Sequence, residues 1–175
     1  VSTRAVRDGE HYVVNGAKLY ITSGVRADFL TTLVRTSDEK HGGLSFVIID
    51  KNLDGVSVSR SLDKTGWWAS DTAELGFEDV RVPAENLVGG EGGGFVVLMQ
   101  NFQSERLALA AYGVATAEIA LEETMRWVNE REAFGRPIAR FQITRHKLAD
   151  MATRVTAAKT FVYQVASRID AGEYL

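Results

Sequence analysis

The pair Glu105-Arg106 carries the most chemistry per residue in this chain. At about 100° per residue, Glu105 shares a helical face with Leu98, Phe102 and Leu109, and Arg106 lies on its flank. A carboxylate drawn partly out of water has a raised pKa and can serve as a general base. The other reading is that the two charges find partners on an adjoining element, as ion pairs in packed helices commonly do.

Three further groupings have types that suit a site. Tyr20-Ile21-Thr22-Ser23-Gly24 closes a strand-like run, and alternation places the Tyr20 ring and the Thr22 hydroxyl on one face, where they could flank a planar ligand or form ordinary sheet surface. Gly66 to Leu75 crowds Trp67 and Trp68 against Ser70, Asp71 and Thr72, which reads as a pocket wall or as a buried aromatic with a capped turn. Gly89 to Gly94 is rich in glycine but has no Lys-Ser/Thr, no GxGxxG and no βαβ setting, so it reads as a flexible connector rather than a phosphate cradle. Arg131 and Arg136 beside a turn suit a helix C-terminus through the dipole alone.

Composition narrows the classes. With 20 Lys and Arg against 23 Asp and Glu, the net charge is -3, and nucleic acid and anionic membranes are poor partners for it. There is no cysteine, so thiolate chemistry, disulfides and Cys-based zinc sites are excluded. His11, His41 and His146 are scattered without metal-ligand spacing. No apolar run reaches transmembrane length. The chain opens inside a strand pattern and closes on a helical one, which leads to the expectation of a fragment with trimmed ends.

The elements that position these groups fall in two halves. Strands are predicted at Thr3 to Arg7, His11 to Thr22, Phe29 to Arg35, Leu44 to Asp50, Val56 to Arg60 and Thr72 to Val82. Asp8-Gly9 is a hairpin dipeptide, and Asn15-Gly16 either splits the second strand or bulges it. With no helix between the strands, pairing is expected to be antiparallel, in a sandwich or barrel rather than a Rossmann sheet. After Pro83 the pattern turns helical: a stripe of Phe95, Leu98, Met99, Phe102, Leu109, Gly113, Ala117, Ala120, Thr124 and Trp127, then a break at Gly135-Arg136-Pro137. A second stripe runs over Leu148, Met151, Ala152, Val155, Ala158, Val162, Val165 and Ile169. The expected organisation is residues 1–88 as a β-domain, 89–94 as connector and 95–175 as helices.

Asp8 to Gly16, Lys18 to Gly24 (KLYITSG), Gly66 to Pro83 (GWWASDTAELGFEDVRVP) and Arg131 to Met151 (REAFGRPIARFQITRHKLADM), in this order, resemble the acyl-CoA dehydrogenase family. The resemblance implies an α+β chain: an antiparallel, barrel-like middle domain, then two long antiparallel helices of an incomplete C-terminal four-helix bundle. It implies α,β-dehydrogenation of an acyl-CoA thioester with FAD as hydride acceptor, electrons passing to electron-transfer flavoprotein. A homotetrameric dimer of dimers working in fatty-acid β-oxidation is implied too, in the bacterial cytoplasm or the mitochondrial matrix. By position, Tyr20, Ile21 and Thr22 resemble the residues against the flavin ring, and Arg131, Phe134 and Gln142 those that reach a flavin across a subunit interface. Ser104-Glu105-Arg106 resembles the long-chain and isovaleryl branch, with Glu105 as base and Arg106 and Ser104 at the substrate. Gln103 stands where many relatives have a substrate-touching Asp. The fragment by itself is expected to be inactive. Alternatives are a nitroalkane oxidase-like or nucleic-acid-protection flavoprotein of the same superfamily, or a non-catalytic binding module.

Overall fold

A computed structural model of the chain describes residues 1–173. Seven strands form one sheet: β1 (Arg4–Asp8), β2 (His11–Thr22), β3 (Phe29–Arg35), β4 (Leu44–Asp50), β5 (Val56–Ser61), β6 (Thr72–Pro83) and β7 (Leu87–Val88), in the order β5-β6-β2-β1-β3-β4-β7. All of the expected strands form, and the two-residue β7 adds an edge that the pattern did not predict. Pairing is antiparallel except between β1 and β3, which run parallel at Arg4↔Arg35. The expected antiparallel sheet forms, and its one parallel junction has a geometric reason: β2 and β3 reverse direction through a short loop, and β1 lies between them.

Alternation along the strands sends Tyr12, Val14, Val34, Val47, Ile49, Leu75, Phe77, Val80 and Val82 into one buried cluster. Val47 and Ile49 of β4 share that cluster with Val80 and Val82 of β6, although three strands separate them in the sheet, so the sheet coils around its own core in a barrel-like way. Asn15-Gly16 makes a bulge within a single β2: the register with β6 shifts between Val14 and Gly16. The bulge is tied by reciprocal bonds, Asn15 Nδ2 to Asp79 Oδ1 and Asp79 N–H to Asn15 Oδ1, each 2.9 Å. Gly16 has φ +142, and a Cβ there would lie 2.7 Å from Thr3 Cα, so glycine is required by both backbone and space.

The connector is tied to the sheet. Gly92 N–H donates to Ser45 Oγ at 2.9 Å and the Tyr12 hydroxyl donates to Glu91 Oε2 at 2.8 Å, so the glycines dock on the sheet.

Two helices follow, α1 (Gly94–Glu130) and α2 (Gln142–Asp170), joined through the short antiparallel pair β8 (Glu132–Ala133) and β9 (Arg136–Pro137). The chain divides into compact units at Val1–Gln100 and from Asn101 onward. In the second unit Leu107, Ala117, Leu121 and Thr124 of α1 share clefts with Val162, Val165 and Val155 of α2, which fixes the helices as antiparallel. Leu109 and Trp127, expected in the α1 stripe, are instead exposed. α1 is apolar on more than one side, so periodicity does not single out the face that meets α2. Among the described residues no helix is long and apolar enough to cross a membrane, and no His/Cys/Asp/Glu group could hold a metal ion.

Candidate functional site

In the β unit the candidate residues sit where β2 ends. The β2–β6 register shifts again between Lys18 and Ile21, and Tyr20 within that shift takes a left-handed backbone, φ 60. The alternation expected to put Tyr20 and Thr22 side by side is interrupted there. Tyr20, 72% exposed, lines a cleft with Leu62, Lys64 and Thr72, whereas Ile21 and Thr22 line a second cleft with Lys18, Phe29 and Leu33. A left-handed aromatic residue costs of order 1–3 kcal/mol and persists where its surroundings impose it, which is common at binding sites.

Two features of this end escaped the sequence reading. Asp71 locks the loop after β2: its Oδ2 accepts Val25 N–H at 2.8 Å, its Oδ1 pairs with Arg26 at 3.1 Å, and its carbonyl accepts Ser23 N–H at 3.0 Å. The Ser70-Asp71-Thr72 spacing beside a strand was visible, but its target, 46 residues away, was not. Lys18 is the other. Its ammonium donates to the Leu33 carbonyl across the second cleft, and burial lowers its pKa. No pattern of periodicity marks such a lysine.

In the helical unit, Glu105 is exposed rather than half-withdrawn into an apolar face, and Asn101 Nδ2, one turn earlier, donates to its Oε1 at 2.6 Å. The correction follows from Leu109, whose exposure shows that the face shared by Glu105 is not the packed one. Arg106 lies over the Phe102 ring, 5.6 Å from its centroid, and with Gln103 lines a cleft against Phe161 and Val165. Ser104 is exposed beside them. Arg131, Phe134 and Gln142 gather at the far end of α1. Phe134 and Gly135, φ 53 and 75, form the two-residue turn of the β8–β9 hairpin, and Phe134 is 95% exposed. At 1.5 Å per residue the two groups on α1 are roughly 37 Å apart, too far for one small molecule to touch both.

Each unit by itself offers groups of a kind that a flavin dinucleotide takes: the first has the exposed Tyr20 ring on left-handed backbone and the exposed Thr22 hydroxyl, the second the exposed Phe134 ring and the exposed Arg131 guanidinium.

Sequence comparison matches residues 1–80 to the acyl-CoA dehydrogenase middle domain and residues 92–175 to the acyl-CoA dehydrogenase C-terminal domain. Among curated relatives, cyclohexane-1-carbonyl-CoA dehydrogenase of Geobacter metallireducens is 38% identical over 99% of this chain and 46% of its own length. Isovaleryl-CoA dehydrogenase of Pongo abelii is 40% identical over 97% of this chain and 41% of its own. A crystal structure described as a probable acyl CoA dehydrogenase from Mycobacterium abscessus superposes with a TM-score of 0.96 at 58% identity, covering 99% of this chain and 46% of that one. The chain therefore spans less than half the length of these relatives.

Proposed function

Because the chain belongs to the acyl-CoA dehydrogenase family, we propose that the protein it comes from oxidises an acyl-CoA thioester to the trans-2-enoyl-CoA, with Glu105 as the base. The observation that carries this reading is the Glu105 carboxylate itself, exposed on α1 and oriented by the Asn101 amide, with Arg106 next to it. A carboxylate held by one donor keeps free lone pairs for a proton, and an adjacent guanidinium suits the phosphates of coenzyme A.

In this reading Glu105 accepts the α proton of the thioester and becomes a neutral carboxylic acid. Bound FAD supplies the acceptor for the β hydride and the route by which electrons leave to an electron-transfer flavoprotein. Tyr20 packs against the ring system, Ile21 and the Thr22 hydroxyl hold its edge, and Gln103, Ser104 and Arg106 bind substrate. Arg131, Phe134 and Gln142 hold cofactor belonging to a second subunit, a reading that the distance along α1 supports. The working form is then at least a dimer, a dimer of dimers in the fullest reading. Its setting is an aqueous compartment, the cytoplasm or a mitochondrial matrix.

The test is Glu105→Gln in the full-length protein, assayed with acyl-CoA thioesters of graded length and an artificial electron acceptor. Flavin absorbance should persist while turnover drops by roughly 10²- to 10⁴-fold, the usual contribution of a positioned base. Wild-type turnover in that variant places the base elsewhere.

A further inference from the structure

The glycine-rich joint before α1 is bound to the sheet by polar contacts that no packing requirement explains. Tyr12 is 1% exposed, a core ring by position, yet its hydroxyl reaches out to Glu91. Burial, and then the Glu91 carboxylate, push the phenol pKa up, so the group stays a neutral donor to a charged acceptor, the stronger class of hydrogen bond. Ser45 is fully buried on β4, accepts Gly92 N–H, and shares a 2.8 Å bond with Thr36 Oγ1.

The glycines permit the approach that these bonds close. A Cβ on Gly92, which has φ +81, would lie 2.6 Å from the Gly42 carbonyl oxygen, and one on Gly94 would lie 2.8 Å from the Leu44 carbonyl and the Ser45 amide nitrogen. On the same side the His41 and Phe95 rings meet at 4.5 Å. Two hydroxyls thus seize a segment whose one side chain beyond glycine, Glu91, is itself an acceptor.

We propose that Tyr12 and Ser45 are positioning residues that hold the joint before α1 against the sheet, by way of Glu91 and Gly92. Glu105 is borne by the same continuous helix that this joint begins. In that respect the proposal rests on the reading of Glu105 as the base.

The test compares Tyr12→Phe, Ser45→Ala and the pair Tyr12→Phe/Glu91→Met in the full-length protein, by amide hydrogen exchange and steady-state kinetics. In the two single variants, exchange across Gly89–Val97 should quicken about tenfold while amides of Val34 and Val47 hold, because only a local opening is made easier. Turnover should fall several-fold at unchanged KM. The double variant should be no worse than Tyr12→Phe, since removing both partners leaves no orphaned charge.

Unchanged exchange in both single variants overturns the proposal, as does a rise shared equally by Val34 and Val47, which would make Tyr12 and Ser45 general core residues. A loosened joint with full turnover, where Glu105→Gln has lost it, overturns the positioning role and leaves the base in place. If Glu105→Gln keeps turnover, the base assignment fails, and the hold of Tyr12 and Ser45 on the joint stands or falls on exchange alone.

Discussion

Lys159 of α2 and Glu118 of α1 meet across the seam between the helices, the ammonium donating to Oε1 at 2.7 Å. The pair ties the two helices together at a partly exposed point of the seam, between a cleft that holds Leu107 and Val165 and one that holds Leu121 and Val155.

Glu118 raises the Lys159 pKa above its ordinary value of 10.5, chiefly through the hydrogen bond. The folded state holds this proton more tightly than the unfolded chain does, so the stability it adds is complete below 10.5 and is lost as pH climbs through the raised value. Glu118→Gln should lower the melting temperature at pH 7, and the deficit should shrink in melts above pH 10.5. A pH-independent deficit would assign the effect to packing.

Lys18 behaves in the opposite sense. Burial lowers its pKa, so the folded state sheds the proton before the unfolded chain does, and stability rises with pH through the interval just below 10.5. Denaturant melts of wild type and Lys18→Met, taken from pH 7 upward, should show wild type gaining on the variant as pH approaches that limit. Parallel curves would mean that the ammonium is well solvated.

Gly16→Ala should be severely destabilising, by about 2–4 kcal/mol in urea melts, because strain at a positive φ adds to a collision with the Thr3 backbone. Gly135→Ala, with open space around its Cβ position, should lose about 1 kcal/mol or less. Equal losses at the two positions would leave backbone strain alone as the cause.

Mixing tests whether Arg131 serves a second subunit. Protomers carrying Glu105→Gln and protomers carrying Arg131→Ala should each be nearly inactive alone. Refolded together they should recover about a quarter of wild-type turnover, since half of the dimers are mixed and each has one intact site. No recovery would mean that each flavin takes its Arg131 and its Glu105 from one and the same subunit.

Pattern reading was strongest where one period dominates. β3, β4 and most of β6 alternate, and the structure places the strands from His11 to Pro83 within a residue of where β-branched and aromatic runs end. It was weaker where the signal is shared or remote. α1 carries apolar residues on several sides, so the buried face was assigned through Leu109 and Trp127, which lie exposed. Tyr20 shows a different limit: alternation assumes extended backbone, and a left-handed residue inside a register shift cancels it. Asp71 and Tyr12 act on partners 46 and 79 residues distant, which no local window contains. The glycine run misled because glycine permits close docking as readily as it permits mobility, and the docking hydroxyls lie elsewhere in the chain.

The place of β1 in the sheet bears on how the chain assembles. It is the earliest of the seven strands to be synthesised and yet sits in the middle, with β2 on one side and β3 on the other. A growing polypeptide can zip β1 to β2 at once through the Asp8-Gly9 turn, but the far edge of β1 must wait until Arg35 has emerged. β6, which flanks β2, arrives later still and encloses the core from residues 72 to 83. Closure therefore depends on distant pairings, a topology associated with slow collapse and with a nascent edge that neighbouring chains can capture.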